Sequence, residues 1–429
     1  MRIPLRGCDF EVPRVGLAPQ HKATYSAMTV TARPSIWKNR NFVILIVTGF
    51  ALSFGGRVYE LALPLIIYEL TQSSVAMGSM RALQFLPILL FGLFIGVFVD
   101  RADKKRWMLW SVSLQMLLLF ALFGYSQLQS PSHLVFYGGG FFLMMLSYGY
   151  INARISSVKW ALPTSMMTSA NAKFTFIQTL MQVMGPAISG AILFLSSLYY
   201  GLLITAFLYL CALLVLPRLE LQETPRAVQT RRFWQELREG WGELRQNRPL
   251  WALTWFVSFF NATAISFELM VIFFVKDELQ WSTAQVGIVL SCAGLGGLLG
   301  SVFAERMRSA VGLGTCLAVS LVVLALTYSL MGLSSAAWTV GVAMFSCGFM
   351  TTLQNICIWA YRHETTSAPL MGRVSGMTGS IFKIGVPLAL FGSGLLADVA
   401  GARAVFVVCG VVQVAVFIAF YNSVVLRER

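Results

Sequence analysis

Two glutamates stand where a carboxylate is costly. Glu60 lies in GGRVYELALPLIIYEL, residues 55–70, inside a run of about 27 mostly apolar residues from Phe42 to Tyr68, and Glu268 lies in the equally apolar SFELMVIF, residues 266–273. At the depth of a hydrocarbon core an ionised side chain costs roughly 2.5–3.5 kcal/mol on insertion scales. Arg57, three residues before Glu60, shares its helical face and can neutralise it. Glu268 has no basic residue at such a spacing. A carboxylate removed from water without a fixed cation favours its protonated form. A group that takes up and gives back a proton there can couple a proton gradient to the movement of a solute. Glu60 and Glu268 are therefore the candidate proton-coupling residues. Arg57 and Lys383, the latter about eleven residues or roughly 16 Å into its run, would tune those carboxylates or meet an anionic part of the solute. Arg81 lies near the end of its run and can snorkel to water. Asn261, Gln182 and Gln354 would hydrogen-bond a solute or knit helices together.

These residues need elements to hold them at depth. Of 429 residues, 57% are hydrophobic and 12% charged, against about 25% charged in a soluble domain. About 20 apolar residues cross a bilayer as a helix. Twelve runs qualify: 42–68, 77–99, 107–127, 133–156, 168–196, 198–217, 251–275, 283–305, 310–332, 335–360, 372–396 and 402–424. Backbone polar groups in lipid must be satisfied within each segment, which makes such runs helices. The expected fold class is an all-α membrane protein of twelve transmembrane helices. Its organisation is a basic tail at 1–41, a six-helix bundle at 42–217, a linker at 218–250, a second six-helix bundle at 251–424 and a short end at 425–429. The tail has no signal-peptide pattern, and Met28 is an alternative start. In the linker, RRFWQELREGWGELRQNRP places Phe233, Trp234, Leu237, Trp241 and Leu244 at helical spacing, as an amphipathic helix on a membrane surface would.

A net charge of +14 suits nucleic acid only if it clusters, and here it follows topology instead. With the amino terminus inside, 27 Lys and Arg fall in inner segments and only Lys276 and Arg403 in outer ones. The positive-inside rule gives that asymmetry for twelve helices with both ends in the cytoplasm. Seven cysteines, spread singly and never as CxxC, support neither a disulfide framework nor a metal site.

The chain also repeats itself. FGLFIGVFVDR (91–101) aligns without gaps on GGLLGSVFAER (296–306), identical at five of eleven positions, with Asp100 opposite Glu305. A register only slightly different sets VYELALPL (58–65) on SFELMVIF, and Glu60 meets Glu268. An even number of spans per half makes the two bundles parallel repeats about an axis along the membrane normal, an arrangement of transporters.

GVFVDRADKKR, 96–106, resembles the signature of the major facilitator superfamily, Gly-x-x-x-Asp-Arg-x-Gly-Arg-Arg/Lys. Gly96, Asp100, Arg101, Lys104 and Lys105 fall on matching positions, and Asp103 replaces the second glycine. The resemblance implies a latch between the two halves on the cytoplasmic face, echoed by Glu305 and Arg306 and including Arg154. AR at 153–154, Pro163, AN at 170–171, GPAISG at 185–190, DELQWSTAQVGIVLSCAGLGGLLGS at 277–301 and MGRVSGM at 371–377 are similar to the macrolide-efflux and enterobactin-exporter group. Gly185, Pro186 and Gly190 keep the helix-packing part of that group's fifth-span motif; Met181 and Ser189 depart from it.

The resemblance implies a proton-coupled exporter of a bulky, partly apolar molecule, drug-like or a siderophore, working as a monomer in the cytoplasmic membrane. Its partners would be the small-molecule substrate, protons and the bilayer, with no nucleic acid and no cofactor. Import or facilitated passage of a lipid-like solute by the same fold is the first alternative, a non-transporting receptor the second. No nucleophile and base, phosphate-binding loop or metal spacing marks an enzyme. RHETT, 362–366, sets a histidine beside a carboxylate in what reads as a loop without partners.

Overall fold

The computed structural model describes residues 36–163, 197–221, 233–333, 336–366 and 371–421, with scattered positions between 166 and 185. Most of the expected fifth span at 168–196 therefore lies outside the described residues. Side-chain caps set where the helices begin. Asn39 accepts from the Phe42 amide at 3.0 Å to start α1, Arg40–Thr71. Ser73 accepts from Ala76 to start α2, Ser74–Arg101. Asp103 accepts from Arg106 at 2.9 Å to start α3, Lys104–Ser126. That cap gives a physical reason for the departure at Asp103, since an aspartate satisfies an amide at a helix start that a glycine leaves open. α4 is His133–Ala161 and α5, the sixth expected span, is Leu198–Val215. The linker helix forms as α6, Phe233–Gln246. Asn247 caps α7, Arg248–Asp277.

The remaining expected spans are joined differently from the sequence reading. α8, Thr283–Leu333, contains both the eighth and ninth spans. Its 51 residues would reach about 77 Å if straight, far beyond a bilayer, and Gly312 at φ 81° breaks it where only glycine sits without strain. α9 is Ala337–Thr365. The eleventh span is two helices rather than one, α10 at Met371–Ile384 and the start of α11 at Val386–Tyr421, separated by Gly385. α11 turns again at Gly401, φ 77°, into the twelfth span. The described helices thus account for eleven of the twelve expected spans. Large apolar side chains such as Trp110, Phe98 and Leu388 stand more than half exposed, the pattern that a bilayer rather than water would cover.

Helix ends define two faces. One, the terminal face, gathers Asn41, Ala161 and Glu220: the Asn41 amide donates to the carbonyls of Ala161 at 3.2 Å and Glu220 at 2.8 Å. The opposite, the turn face, holds the connections after α1, after α7 and at Gly401, where Arg403 pairs with Glu278 at 3.0 Å. RHETT is corrected by this geometry. Its first four residues continue α9, and Glu364 accepts a fork from Arg308 on the terminal face, at 2.9 Å for Nη1. Arg308 beside it holds the Glu364 carboxyl below the usual carboxylate range, mainly through that hydrogen bond. A depressed carboxylate stabilises the fold above its unfolded pKa of about 4.3 and loses that contribution as pH falls through its folded value. Melting of the detergent-solubilised chain should then differ from that of Glu364→Gln at pH 7, by less than about 1 kcal/mol for so exposed a pair. The two should converge once the pH has fallen through the depressed folded-state value of Glu364.

Candidate substrate and proton site

α1 carries its charges beside a deliberate defect. Pro64 follows Glu60 by four residues, so the amide that would bond the Glu60 carbonyl is missing. Arg81 on α2 fills the gap: its Nη1 donates to that carbonyl at 3.3 Å and to Gln84 Oε1 at 2.8 Å, while Nη2 lies 3.8 Å from Glu60 Oε2. Arg57 Nη1 meets the same Oε2 at 3.0 Å. Arg81 does not snorkel, for its side chain is 19% exposed, no more than the 20% of Glu60. One carboxylate is therefore shared by two guanidinia from two helices. The missed partner had a sequence signal, a proline four residues beyond a buried charge.

Gly185 makes room for this arrangement. A Cβ there would stand 2.8 Å from Arg57 Cγ and 3.1 Å from Cδ. Gly185→Ala should push the arginine stem aside and loosen its bond to Glu60, lowering the melting temperature. Gly124→Ala, inside α3 with nothing within 4 Å of the new carbon, should not lower it, since alanine favours a helix over glycine. Gln182, Pro186 and Gly190 lie outside the described residues.

The second half presents its charges separately. Glu268 on α7 is half-buried and has no cation within 4 Å among the described residues. It lies within electrostatic reach of Arg81, Arg57 and Glu60, across the division between the halves. Lys383 is the penultimate residue of α10, two before the Gly385 break, also half-buried and with no carboxylate within 4 Å among the described residues. It is within reach of Glu60 and Arg57. Pro387 follows Lys383 by four residues, as Pro64 follows Glu60. Asn261 donates to the neighbouring Phe382 carbonyl at 3.1 Å, which ties α7 to the broken segment. Gln354 on α9 is fully buried, with neither amide atom hydrogen-bonded among the described residues.

The latch residues are described only in part. Gly96, Asp100 and Arg101 end α2, but their side chains lie outside the described residues. Lys104 donates to the Ala102 carbonyl at 3.0 Å, Lys105 is half-buried, and Glu305 and Arg306 are exposed on α8. Arg154 lies against Gly49 of α1 and 5.5 Å from the Phe174 ring. Its counterpart at the same interval as Glu60 to Glu268 is Arg362, fully buried against Trp359 and donating to Thr378 at 3.0 Å. Gln72 and Gln280, again at that interval, are the only non-glycine residues with positive φ among those described, 51° and 53°. The repeat is thus written in the backbone.

The halves are joined at the turn face. Tyr68 Oη donates to Asp277 Oδ1 at 2.8 Å, Lys276 lies 3.7 Å from Glu69, and Ser74 donates to the Gly394 carbonyl at 2.9 Å. Beneath these contacts α2 and α11 touch backbone to backbone. A Cβ on Gly78 would come 2.7 Å from the Leu390 oxygen, and one on Gly394 2.8 Å from the Ser74 oxygen.

Two bundles of membrane-spanning helices, with ionisable groups inside the spans of both halves within electrostatic reach of one another, define a membrane transporter. The chain belongs to the Major Facilitator Superfamily, whose family model matches residues 45–389 and, in a second match, 255–428. It is 24% identical over 364 residues to the Uncharacterized MFS-type transporter YkuC of Bacillus subtilis (strain 168), covering 80% of this chain and 82% of that one. It is 22% identical over 397 residues to Macrolide efflux protein A of Streptococcus pyogenes, covering 89% and 95%. In fold it is similar to the nucleoside transporter NupG, TM-score 0.70 at 14% identity over 89% of this chain and 98% of that one. It is also similar to a bacterial homologue of the iron transporter ferroportin in an inward-facing state, TM-score 0.66 at 13% identity over 90% and 100%. The fold is twelve transmembrane helices in two parallel-related six-helix bundles.

Proposed function

We propose that this chain exports a bulky, partly apolar small molecule by proton-coupled alternating access. The observation that carries the reading is Glu268, a carboxylate inside a span with no ion pair among the described residues and within electrostatic reach of the Arg57–Glu60–Arg81 cluster of the other half. Glu268 takes and releases the proton; Glu60, held by two arginines, sets the field it does so in. The charge asymmetry supports a cytoplasmic terminal face. Closure at the turn face then corresponds to a state open inward, ready to take substrate from the cell. Gly96, Asp100, Arg101, Lys104, Lys105, Arg154, Glu305 and Arg306 form the latch when the terminal face closes in its turn. The likeness to a macrolide efflux protein supports the outward direction. Import or facilitated passage is favoured by one observation, the double pairing of Glu60, which suits a static scaffold. Inverted vesicles separate the two. Proton-driven export accumulates substrate in an acidified lumen and needs Glu268, whereas a facilitator only equilibrates it.

A further inference from the structure

Three of the five charges within the spans are paired with one another, Glu60 with both Arg57 and Arg81, leaving one positive charge in excess. That leaves Lys383 and Glu268, of opposite sign, each half-buried and each without an ion pair within 4 Å among the described residues. Both lie within electrostatic reach of the Arg57–Glu60 pair, yet neither neutralises the other. Lys383 also sits at the one place where the eleventh span is interrupted, between Ile384 and Val386, with Pro387 unable to donate to its carbonyl. Interrupted helices at mid-depth are where transporters of repeated architecture hold their substrates.

We propose that the substrate is an amphiphilic zwitterion, an apolar body whose acidic group docks on Lys383 and whose ammonium docks on Glu268. This deepens the proposed export reading and rests on it. A lone anion on Lys383 would leave Glu268 without a contact ion pair of its own, and a lone cation would add a fourth positive charge to the three already present. A zwitterion answers both unpaired groups and keeps the cluster's charge unchanged. Its ammonium also competes with the proton for the Glu268 carboxylate, which is the competition that exchange of substrate for proton requires. Since no ion pair joins Lys383 to Glu268, the two substrate charges are separated along the molecule rather than carried on adjacent atoms.

Ciprofloxacin is a suitable probe, with a carboxylate and a basic amine at opposite ends of a fluorescent ring system. Its N-acetyl derivative keeps only the anion and its ethyl ester only the cation. Binding to the purified chain in detergent should favour ciprofloxacin over either derivative by at least about tenfold, the scale of one charge-assisted hydrogen bond. Lys383→Gln should erase the preference over the ester and Glu268→Gln the preference over the N-acetyl compound, while Lys383→Arg keeps both. Equal or tighter binding of either derivative, equal weakening of all three compounds by the variants, or no saturable binding overturns the proposal. The export reading fails separately. If the binding pattern holds but proton-driven flux is indifferent to Glu268, coupling is wrong and the site stands; if flux needs Glu268 but the pattern is missing, only the zwitterion falls.

Discussion

Replacing Glu268 by glutamine should abolish accumulation driven by a pH gradient in inverted vesicles while leaving the melting temperature of the purified chain within a degree or two of wild type. The two halves of that expectation have separate causes. Glutamine keeps the shape and hydrogen-bonding reach of the carboxylate but cannot carry a proton, so coupling is lost at its carrier. Stability is spared because Glu268 has no ion pair within 4 Å among the described residues to lose. Glu60→Gln should behave in the opposite way. It strands Arg57 and Arg81, and breaking a buried pair by removing one partner costs about 3–5 kcal/mol, toward the lower figure here since Arg57 is 39% exposed. A pair of variants in which the stable one is inactive in coupling and the other melts early would separate carrier from scaffold. If Glu268→Gln still concentrates substrate against a gradient, proton coupling through this residue is wrong.

The second large effect is expected at the seam of the turn face. Leucine at Gly78 or Gly394 cannot be seated while α2 and α11 stay in contact, because even the first side-chain carbon meets a carbonyl oxygen. Overpacking of this kind costs about 1–3 kcal/mol, and about 1.4 kcal/mol is a tenfold change in population. Gly78→Leu should therefore move the balance between the two access states away from turn-face closure by roughly five- to a hundredfold and slow turnover accordingly. Spin labels at Gln129 and Val399, both exposed on that face, on a chain freed of its native cysteines, would report longer distances in the variant. An unchanged distance distribution would mean that the seam is not part of the moving interface.

Much of this site can be read from single residues, and the limits are instructive. Glu60, Glu268 and their equivalence are visible because a charge in an apolar run is conspicuous in one dimension. Arg57 pairs with Glu60 as its i, i+3 spacing predicts. Arg81 reads as a snorkelling residue because sequence spacing says nothing of a neighbouring helix that has lost a hydrogen-bond donor, yet Pro64 marks that loss. The break at Gly385 is masked by apolar neighbours that keep a hydropathy pattern continuous through it. The equivalence of Arg154 with Arg362 is carried by interval alone, since the surrounding residues share no identity strong enough to align them. RHETT reads as a loop because its polarity outweighs its helical phase; the partner of Glu364 comes from another element altogether.

The turn-face seam has a bearing on the medium it meets. Its rim, Glu69 with Lys276, is a charge pair that dissolved salt screens over about 10 Å at 0.1 M. Its interior is glycine against main chain, where ionic strength has nothing to act on. A seam built in this way holds with nearly the same strength in brackish and in dilute surroundings.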